Sequence, residues 1–167
     1  MAVPRCDLVV RGGTVLTPGH QEIADVGVRA GQIAQLGGPM TGDDEIDAAG
    51  LLVLPGGIDA HVHLGCAALA EAMGHHEPVW VDDFGTGSLA AFAGGITTVG
   101  NMTFALPGES MKVAVAREMA GAAAEAAAEA AVDWFLHPVL TELTESTAAE
   151  IAALAADGHT SIKVFCP

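Results

Sequence analysis

After residue 55 the sequence alternates between short apolar segments typical of strands and longer segments typical of helices, and this alternation constrains the fold most. The predicted elements are strands at 58–64, 96–99, 133–140 and 161–165, and helices at 81–93, 109–131 and 146–156. Such alternation indicates parallel βαβ units, because parallel strands need a crossover connection that a helix supplies. Residues 55–167 are therefore predicted to be an α/β domain. Both an open doubly wound sheet and half of a (β/α)₈ barrel, which typically needs about 250 residues, fit the pattern.

Turn and capping residues support these boundaries. Asp82 and Asp83 suit the start of the first helix, where negative charge is favoured by the helix dipole, and Gly94 ends that helix. Ser146 is the predicted N-cap of the last helix. The middle segment is rich in alanine, the best helix former, which favours a helix over a low-complexity linker.

The first 54 residues show strand patterns only. Pro18-Gly19 and Ala30-Gly31 separate apolar or alternating segments, and Gly12-Gly13 is a further predicted turn. Residues 41–45 are polar and are predicted to be a linker. Residues 1–54 are thus expected to form an all-β part of the molecule, distinct from the α/β part.

Composition excludes several classes of protein. The net charge is -15 with only six lysines and arginines, so a nucleic-acid backbone would be repelled. No segment has the roughly 18 consecutive apolar residues of a membrane span, and no charged leader precedes an apolar stretch at the N-terminus. Cys6, Cys66 and Cys166 are odd in number and widely spaced, which is typical of reduced thiols in a cytoplasmic protein.

The first predicted strand of the α/β part carries Asp59, His61 and His63. Side chains alternate between the two faces of a strand, so all three point to the same face. Two imidazoles at this spacing can bind one metal ion, while Asp59 is a better candidate for orienting a histidine than for binding metal directly. The alternative is a strand that carries two polar residues without any metal, and spacing alone does not decide between the two.

Lys163 lies in an apolar strand pattern, whereas the only other lysine, Lys112, lies in an exposed helix pattern. A buried ammonium group needs a partner or a changed charge. Reaction with CO₂ would convert the amine to an anionic carbamate that could bridge two metal ions. The alternative is an ordinary lysine whose ammonium group reaches solvent from the end of a strand.

Other candidates carry weaker predictions. His137 is expected to be a core or supporting histidine rather than a ligand. The pair His75-His76 is expected in a solvated or gating loop, and Cys66 is expected to be a small buried thiol near the site. The glycine pairs do not form GxGxxG, so no dinucleotide site is predicted.

Together these segments resemble the cyclic-amidohydrolase branch of the amidohydrolase superfamily, which contains dihydropyrimidinases, hydantoinases and allantoinases. The resemblance covers essentially the whole chain, and its most specific part is the strand with the two histidines. The matching segments are Asp7 to Val15, Leu54-Pro55-Gly56-Gly57-Ile58-Asp59-Ala60-His61-Val62-His63, Asp82-Asp83-Phe84, Ala90 to Thr98, and Ser161-Ile162-Lys163-Val164-Phe165.

The resemblance implies a (β/α)₈ barrel with a small β-sandwich, so that 1–54 would be the sandwich portion and 55–167 the first half of the barrel. It implies two divalent metal ions, usually zinc, with His61 and His63 on one ion and the carbamate of Lys163 bridging both. It further implies two histidines and an aspartate on later strands, beyond Pro167, a tyrosine just beyond the strand of Lys163, and a homo-oligomer. Cys166-Pro167 differs from the usual continuation, and Asn101 stands where many relatives have an acidic residue.

The activity implied is hydrolysis of the C–N bond of a cyclic amide, imide or ureide, with the remainder of the enzyme as partner of this chain. An allantoinase or dihydroorotase is an alternative, although 65–68 lacks the Arg-x-Pro-Gly segment typical of dihydroorotases. A non-catalytic dihydropyrimidinase-like assembly protein is another, although such relatives generally lose the metal residues. Because half a barrel leaves open sheet edges, we expect 1–167 to be one piece of a longer or nicked chain that is unstable alone.

Overall fold

The computed structural model describes residues 3–65, 74 and 82–165. The chain divides into two compact units, Met1–Pro55 and Gly56–Pro167. Their interpretation as a sandwich portion and half of a barrel stays a prediction. None of the helices in the described part is long and apolar enough to cross a membrane.

The first unit is a five-stranded sheet in which β3, β2, β1 and β4 follow one another and β5 pairs with β1. Its strands are β1 (Arg5–Thr17), β2 (His20–Arg29), β3 (Gln32–Leu36), β4 (Thr41–Asp47) and β5 (Leu52–Val53). The turn between β2 and β3 places Ala30 and Gly31 at φ 50° and 73°, the backbone of a tight hairpin turn, as the sequence predicted.

Two predictions for this unit were wrong. The expected linker at 41–45 lies within β4, which pairs in parallel with β1. Its polar composition hid the strand, because β4 is mostly exposed and is held by backbone hydrogen bonds at the edge of the sheet. The expected turn at Gly12-Gly13 lies inside β1, where the pairing with β2 shifts register between Val10 and Gly13. The glycines therefore mark an irregularity in a continuous strand.

The second unit is a four-stranded parallel sheet with the strand order β6, β7, β8 and β9. In chain order its elements are β6 (Gly57–Val62), α1 (Phe84–Ala93), β7 (Ile96–Thr103), α2 (Met111–Glu129), β8 (Asp133–Leu140), α3 (Glu145–Ala156) and β9 (Lys163–Val164). The predicted α/β fold is confirmed. The sequential strand order, without a reversal among these strands, favours a barrel portion over a doubly wound sheet.

The helix starts show where side chains override simple patterns. The N-cap of α3 is Thr144 and not the predicted Ser146, because Thr147 completes a reciprocal capping box with Thr144. Helix α2 starts at Met111, whose N–H donates to the Glu150 carboxylate of α3 at 2.8 Å. Helix α1 begins at Phe84 with Asp83 as its N-cap, so the predicted helix was wrong at Asp82 and Asp83, which precede it. The predicted first residue, Val81, lies outside the described residues.

Two apolar clusters pack the helices against one face of the sheet. Leu64, Phe84 and Val99 form the first, with Val62 and Trp134 beside it. The second cluster comprises Met111, Val115, Leu136 and Leu154. Since these strand residues face the helices, the residues that alternate with them face the opposite, concave side of the sheet.

Candidate metal centre

His61 and His63 lie at the C-terminal end of β6. Val62 and Leu64 pack towards the helices, so the two histidines project from the opposite face, as the alternation predicted. Their ring centroids are 5.4 Å apart, with an angle of 54° between the ring planes. The C-terminal ends of parallel strands are the usual position of active sites in α/β folds.

Lys163 lies on β9, at the other edge of the sheet from β6, yet its charge acts on His63. The pKa of His63 is lowered from 6.5, first by partial desolvation and then by the positive charges of His61 and Lys163. The lowered pKa favours the neutral imidazole of His63, which is the form that binds metal ions. Lys163 is half-buried, and its Nζ lies 5.2 Å from the centroid of the Phe165 ring.

Two phenylalanines lie between His63 and Lys163. The Phe104 ring stacks on His63 with the centroids 5.9 Å apart, and on Phe165 with the centroids 6.5 Å apart. Both follow the C-terminal ends of their strands, β7 and β9. Sequence reasoning missed them as site residues, although a position directly after a parallel strand is the available signal.

Asp59 contacts the main chain of the histidine strand. Its Oδ1 accepts a hydrogen bond from the backbone N–H of His61 at 3.0 Å. This bond supports the backbone conformation at His61, whereas the predicted role was to orient a histidine side chain. The contact to the ring of a histidine therefore stays a prediction.

His137 of β8 reaches across the concave face to β6. Its Nδ1 lies 2.9 Å from the carbonyl oxygen of Ala60, and its ring meets Phe135 edge to face with the centroids 5.3 Å apart. These contacts give His137 a place in the packing beside the histidine strand. The predictions for Cys66, His75, His76 and Cys166 concern residues outside the described part of the chain.

The donor atoms fit a metal centre in part. Within the described ranges, no group of three or more His, Cys, Asp or Glu side chains is arranged to hold a metal ion. The neutral imidazole of His63 and its neighbour His61 are nitrogen donors of the kind that zinc prefers. An ammonium group has no lone pair to donate, so Lys163 could bind a metal ion only after losing its positive charge.

No family model matches the chain. Curated relatives do match it: it is 34% identical over 162 residues to a D-hydantoinase of Ralstonia pickettii, covering 95% of this chain and 33% of that protein. A dihydropyrimidinase of Rattus norvegicus is 34% identical over 170 residues, which cover 97% of this chain and 31% of the relative. The chain thus spans about a third of the length of these relatives.

A comparison with solved structures finds the same kind of enzyme. The dihydropyrimidinase of Brevibacillus agri superposes with a TM-score of 0.75 and 30% identity, over 94% of this chain and 32% of that structure. Among the curated relatives, an allantoinase of Rubrobacter xylanophilus matches a shorter part of the chain. The two are 47% identical over 93 residues, which are 54% of this chain and 18% of the relative.

Proposed function

The chain belongs to the hydantoinase-like amidohydrolases and matches their N-terminal portion. We propose that it supplies the first half of a metal-dependent site that hydrolyses the C–N bond of a cyclic amide, imide or ureide. The observation that carries this proposal is the pair His61 and His63 on one face of β6, with Lys163 beside Phe165, whose ring stacks on the same Phe104 ring that stacks on His63. Half of a site is proposed because the chain spans only about a third of its relatives.

His61 and His63 would hold the first of two divalent ions, with zinc as the expected metal. When bound, such ions polarise a carbonyl group and make a hydroxide nucleophile available near neutral pH. The chain's own residues prepare this site. Partial desolvation of His63 lowers its pKa and favours the neutral imidazole, and Asp59 accepts a hydrogen bond from the backbone N–H of His61.

Lys163 would act as a carbamate. The ammonium group first loses one proton to solvent, and the neutral amine attacks CO₂. The N–C bond forms as one C–O π bond of CO₂ breaks, and a second proton leaves the nitrogen for solvent, so that a cation becomes an anion with two oxygen donors. The anion would bridge the two metal ions. It would also replace the repulsion between Lys163 and a positive centre by attraction.

The rest of the site needs partners. The remaining histidines and the catalytic aspartate are proposed to come from the C-terminal half of the same enzyme, on the same or on a separate chain. That aspartate would carry the proton to the leaving nitrogen. We also propose a homo-oligomer and a cytoplasmic location, the latter supported by the free, buried thiol of Cys6.

Two substrate types deserve direct comparison. The matches to D-hydantoinases and dihydropyrimidinases favour a ring amide of the hydantoin or dihydrouracil type. The allantoinase match, which has higher identity over fewer residues, favours allantoin. Rates of ring opening of hydantoin, dihydrouracil and allantoin by the chain assembled with its C-terminal half, measured in parallel with a His61→Ala control, would rank the three substrates. Retention of both histidines and Lys163 argues against a non-catalytic assembly protein.

The decisive experiment is detection of the carbamate. We expect ¹³C-bicarbonate and Zn²⁺ to give a lysine-carbamate signal in the ¹³C NMR spectrum of the chain assembled with the C-terminal half of the enzyme, together with bound zinc. Lys163→Ala should abolish the signal and reduce the zinc content, because the bridging anion is lost. Lys112→Ala is the matched control, since Lys112 is exposed and pairs with Asp157 on the surface.

A carbamate signal that persists in Lys163→Ala, or zinc content that is equal in the two variants, would contradict the bridging role. Unchanged zinc binding in His61→Ala would contradict the proposed metal centre as a whole. Circular dichroism of each variant establishes that the fold is retained.

A further inference from the structure

The segment that carries His63 continues past the end of β6 at Val62. In the ladder between β6 and β7, Val62 pairs with Asn101, and the register is irregular between Asp59 and Val62. Regular strand pairing therefore does not by itself determine the backbone around the two histidines. Residues outside the regular ladder must contribute to holding the end of this strand.

Asn101 makes such a contribution with a single side chain. Its Oδ1 accepts a hydrogen bond from the backbone N–H of Leu64 at 2.8 Å, and its Nδ2 donates to the carbonyl oxygen of Leu64 at 3.1 Å. An amide side chain has both a donor and an acceptor, so it can bond both backbone groups of one residue. Asn101 is fully buried, at 0% exposure, so water cannot replace these bonds.

Leu64 is fixed from its other side as well. Its side chain is buried and packs in the cluster with Phe84 and Val99. Leu64 directly follows His63, whose ring stacks on Phe104. Any movement of the Leu64 backbone would shift the His63 imidazole relative to His61 and Phe104, because one peptide unit joins the two residues.

We propose that Asn101 is a positioning residue for the metal centre, which fixes His63 through both backbone groups of Leu64. This inference rests on the proposed function, because it assigns His63 as a metal ligand. Asn101 faces the helix side of the sheet together with Val99, so it acts through the backbone and without touching the metal. Groups of this kind, one step removed from the ligands, orient metal ligands and raise metal affinity.

The test is a Co²⁺ titration of the chain assembled with the C-terminal half of the enzyme, followed by the visible absorption spectrum, together with amide hydrogen exchange of Leu64 by NMR. We expect Asn101→Leu, which has similar volume but no hydrogen-bonding group, to weaken Co²⁺ binding by about tenfold or more. It should also change the Co²⁺ spectrum and accelerate Leu64 exchange, because neither backbone bond can form.

Thr103→Val is the matched control. Thr103 lies two residues further along β7, is equally buried at 1% exposure, and its hydroxyl has no hydrogen-bond partner among the described residues. We expect this variant to bind Co²⁺ and to exchange Leu64 as the parent does. Asn101→Asp keeps the acceptor for the Leu64 N–H and loses the donor, so its Co²⁺ affinity should lie between those of the parent and Asn101→Leu.

A folded Asn101→Leu protein with the Co²⁺ affinity, spectrum and Leu64 exchange of the parent overturns the proposal. If Asn101→Leu does not fold, the Asn101→Asp variant provides the test. Co²⁺ affinity of Asn101→Asp equal to that of the parent then overturns the positioning role of Asn101. A parent that binds no Co²⁺ through His61 and His63 overturns the proposed metal centre and this role in it. The Leu64 exchange then still reports whether Asn101 holds the strand end.

Discussion

Gly100 shows how the absence of one side chain shapes the concave face of the sheet. A Cβ atom at this position would lie 2.7 Å from the Phe135 ring and 3.0 Å from the Cα of Ala60. Glycine therefore lets Phe135 of β8 pass over β7 and approach β6. His137, two residues further along β8, reaches Ala60 on the same strand.

We expect Gly100→Ala to destabilise the protein by about 1–3 kcal/mol, because the added methyl group overpacks a filled interior. Chemical denaturation measures the change. Gly121→Ala is the matched control: Gly121 lies in α2 with nothing within 4 Å of the new Cβ. The free energy of unfolding of Gly121→Ala should rise by about 0.5–1 kcal/mol, since alanine favours the helix. Equal effects of the two substitutions would contradict the packing explanation.

At the scale of elements, Arg117 joins α2 to the segment that follows β7. Its guanidinium forms hydrogen bonds with both carboxylate oxygens of Glu109, at 3.0 and 3.1 Å, and donates to the carbonyl oxygen of Phe104 at 2.8 Å. A further bond of 2.8 Å reaches Glu118. Phe104 is the residue that stacks on His63, so this network connects the helix to the candidate site.

Arg117→Lys should destabilise the protein by about 1–3 kcal/mol, because lysine cannot form the paired bonds and leaves partly buried acceptors unsatisfied. Hydrogen exchange of the Leu106 amide, which donates to Glu109, should become faster. Lys112→Gln on the same helix is the control, since its ion pair with Asp157 is exposed and contributes about 0–1 kcal/mol. Parental stability and Leu106 exchange in Arg117→Lys would refute this role.

At the scale of the whole molecule, a net charge of -15 is combined with two arginines, Arg11 and Arg117, that each bind two carboxylates. Arg11 binds Asp25 and Glu45 within the first unit, and its hydrogen bonds lower the pKa of both carboxyl groups. In the second unit, Arg117 lowers the pKa of Glu109 in the same way. The ionised carboxylates therefore stabilise the folded state.

Stability should fall on acidification. Each of these carboxyl groups has a lower pKa in the folded state than in the unfolded state, where it is about 4. Such a group adds its full contribution to the free energy of unfolding above the unfolded-state pKa. The contribution is lost as the pH falls through the folded-state pKa. We expect the free energy of unfolding in urea, at constant ionic strength, to decrease as the pH is lowered from about 5 to 3. Arg11→Gln should show a shallower decrease, because its carboxylates lose their partner. If the free energy of unfolding depends on pH equally in the parent and in Arg11→Gln, the assignment of this dependence to Asp25 and Glu45 is wrong.

Sequence alone determined the features that depend on neighbours along the chain. The alternation of strands and helices, the hairpin turn at Ala30 and Gly31, and the common face of His61 and His63 all follow from local periodicity and turn chemistry. Such patterns depend on backbone geometry within a few residues. They therefore survive without knowledge of the rest of the molecule.

Tertiary structure alone decided which distant groups meet. The polar edge strand β4, the stacking of Phe104 on His63, and the two bonds from Asn101 to Leu64 join residues far apart in sequence. Their positions depend on how the strands pair and how the sheet curves, because a backbone or amide group finds its partner across space rather than along the chain. The histidines could be recognised from sequence, whereas the residues that hold them in place became visible only in the fold.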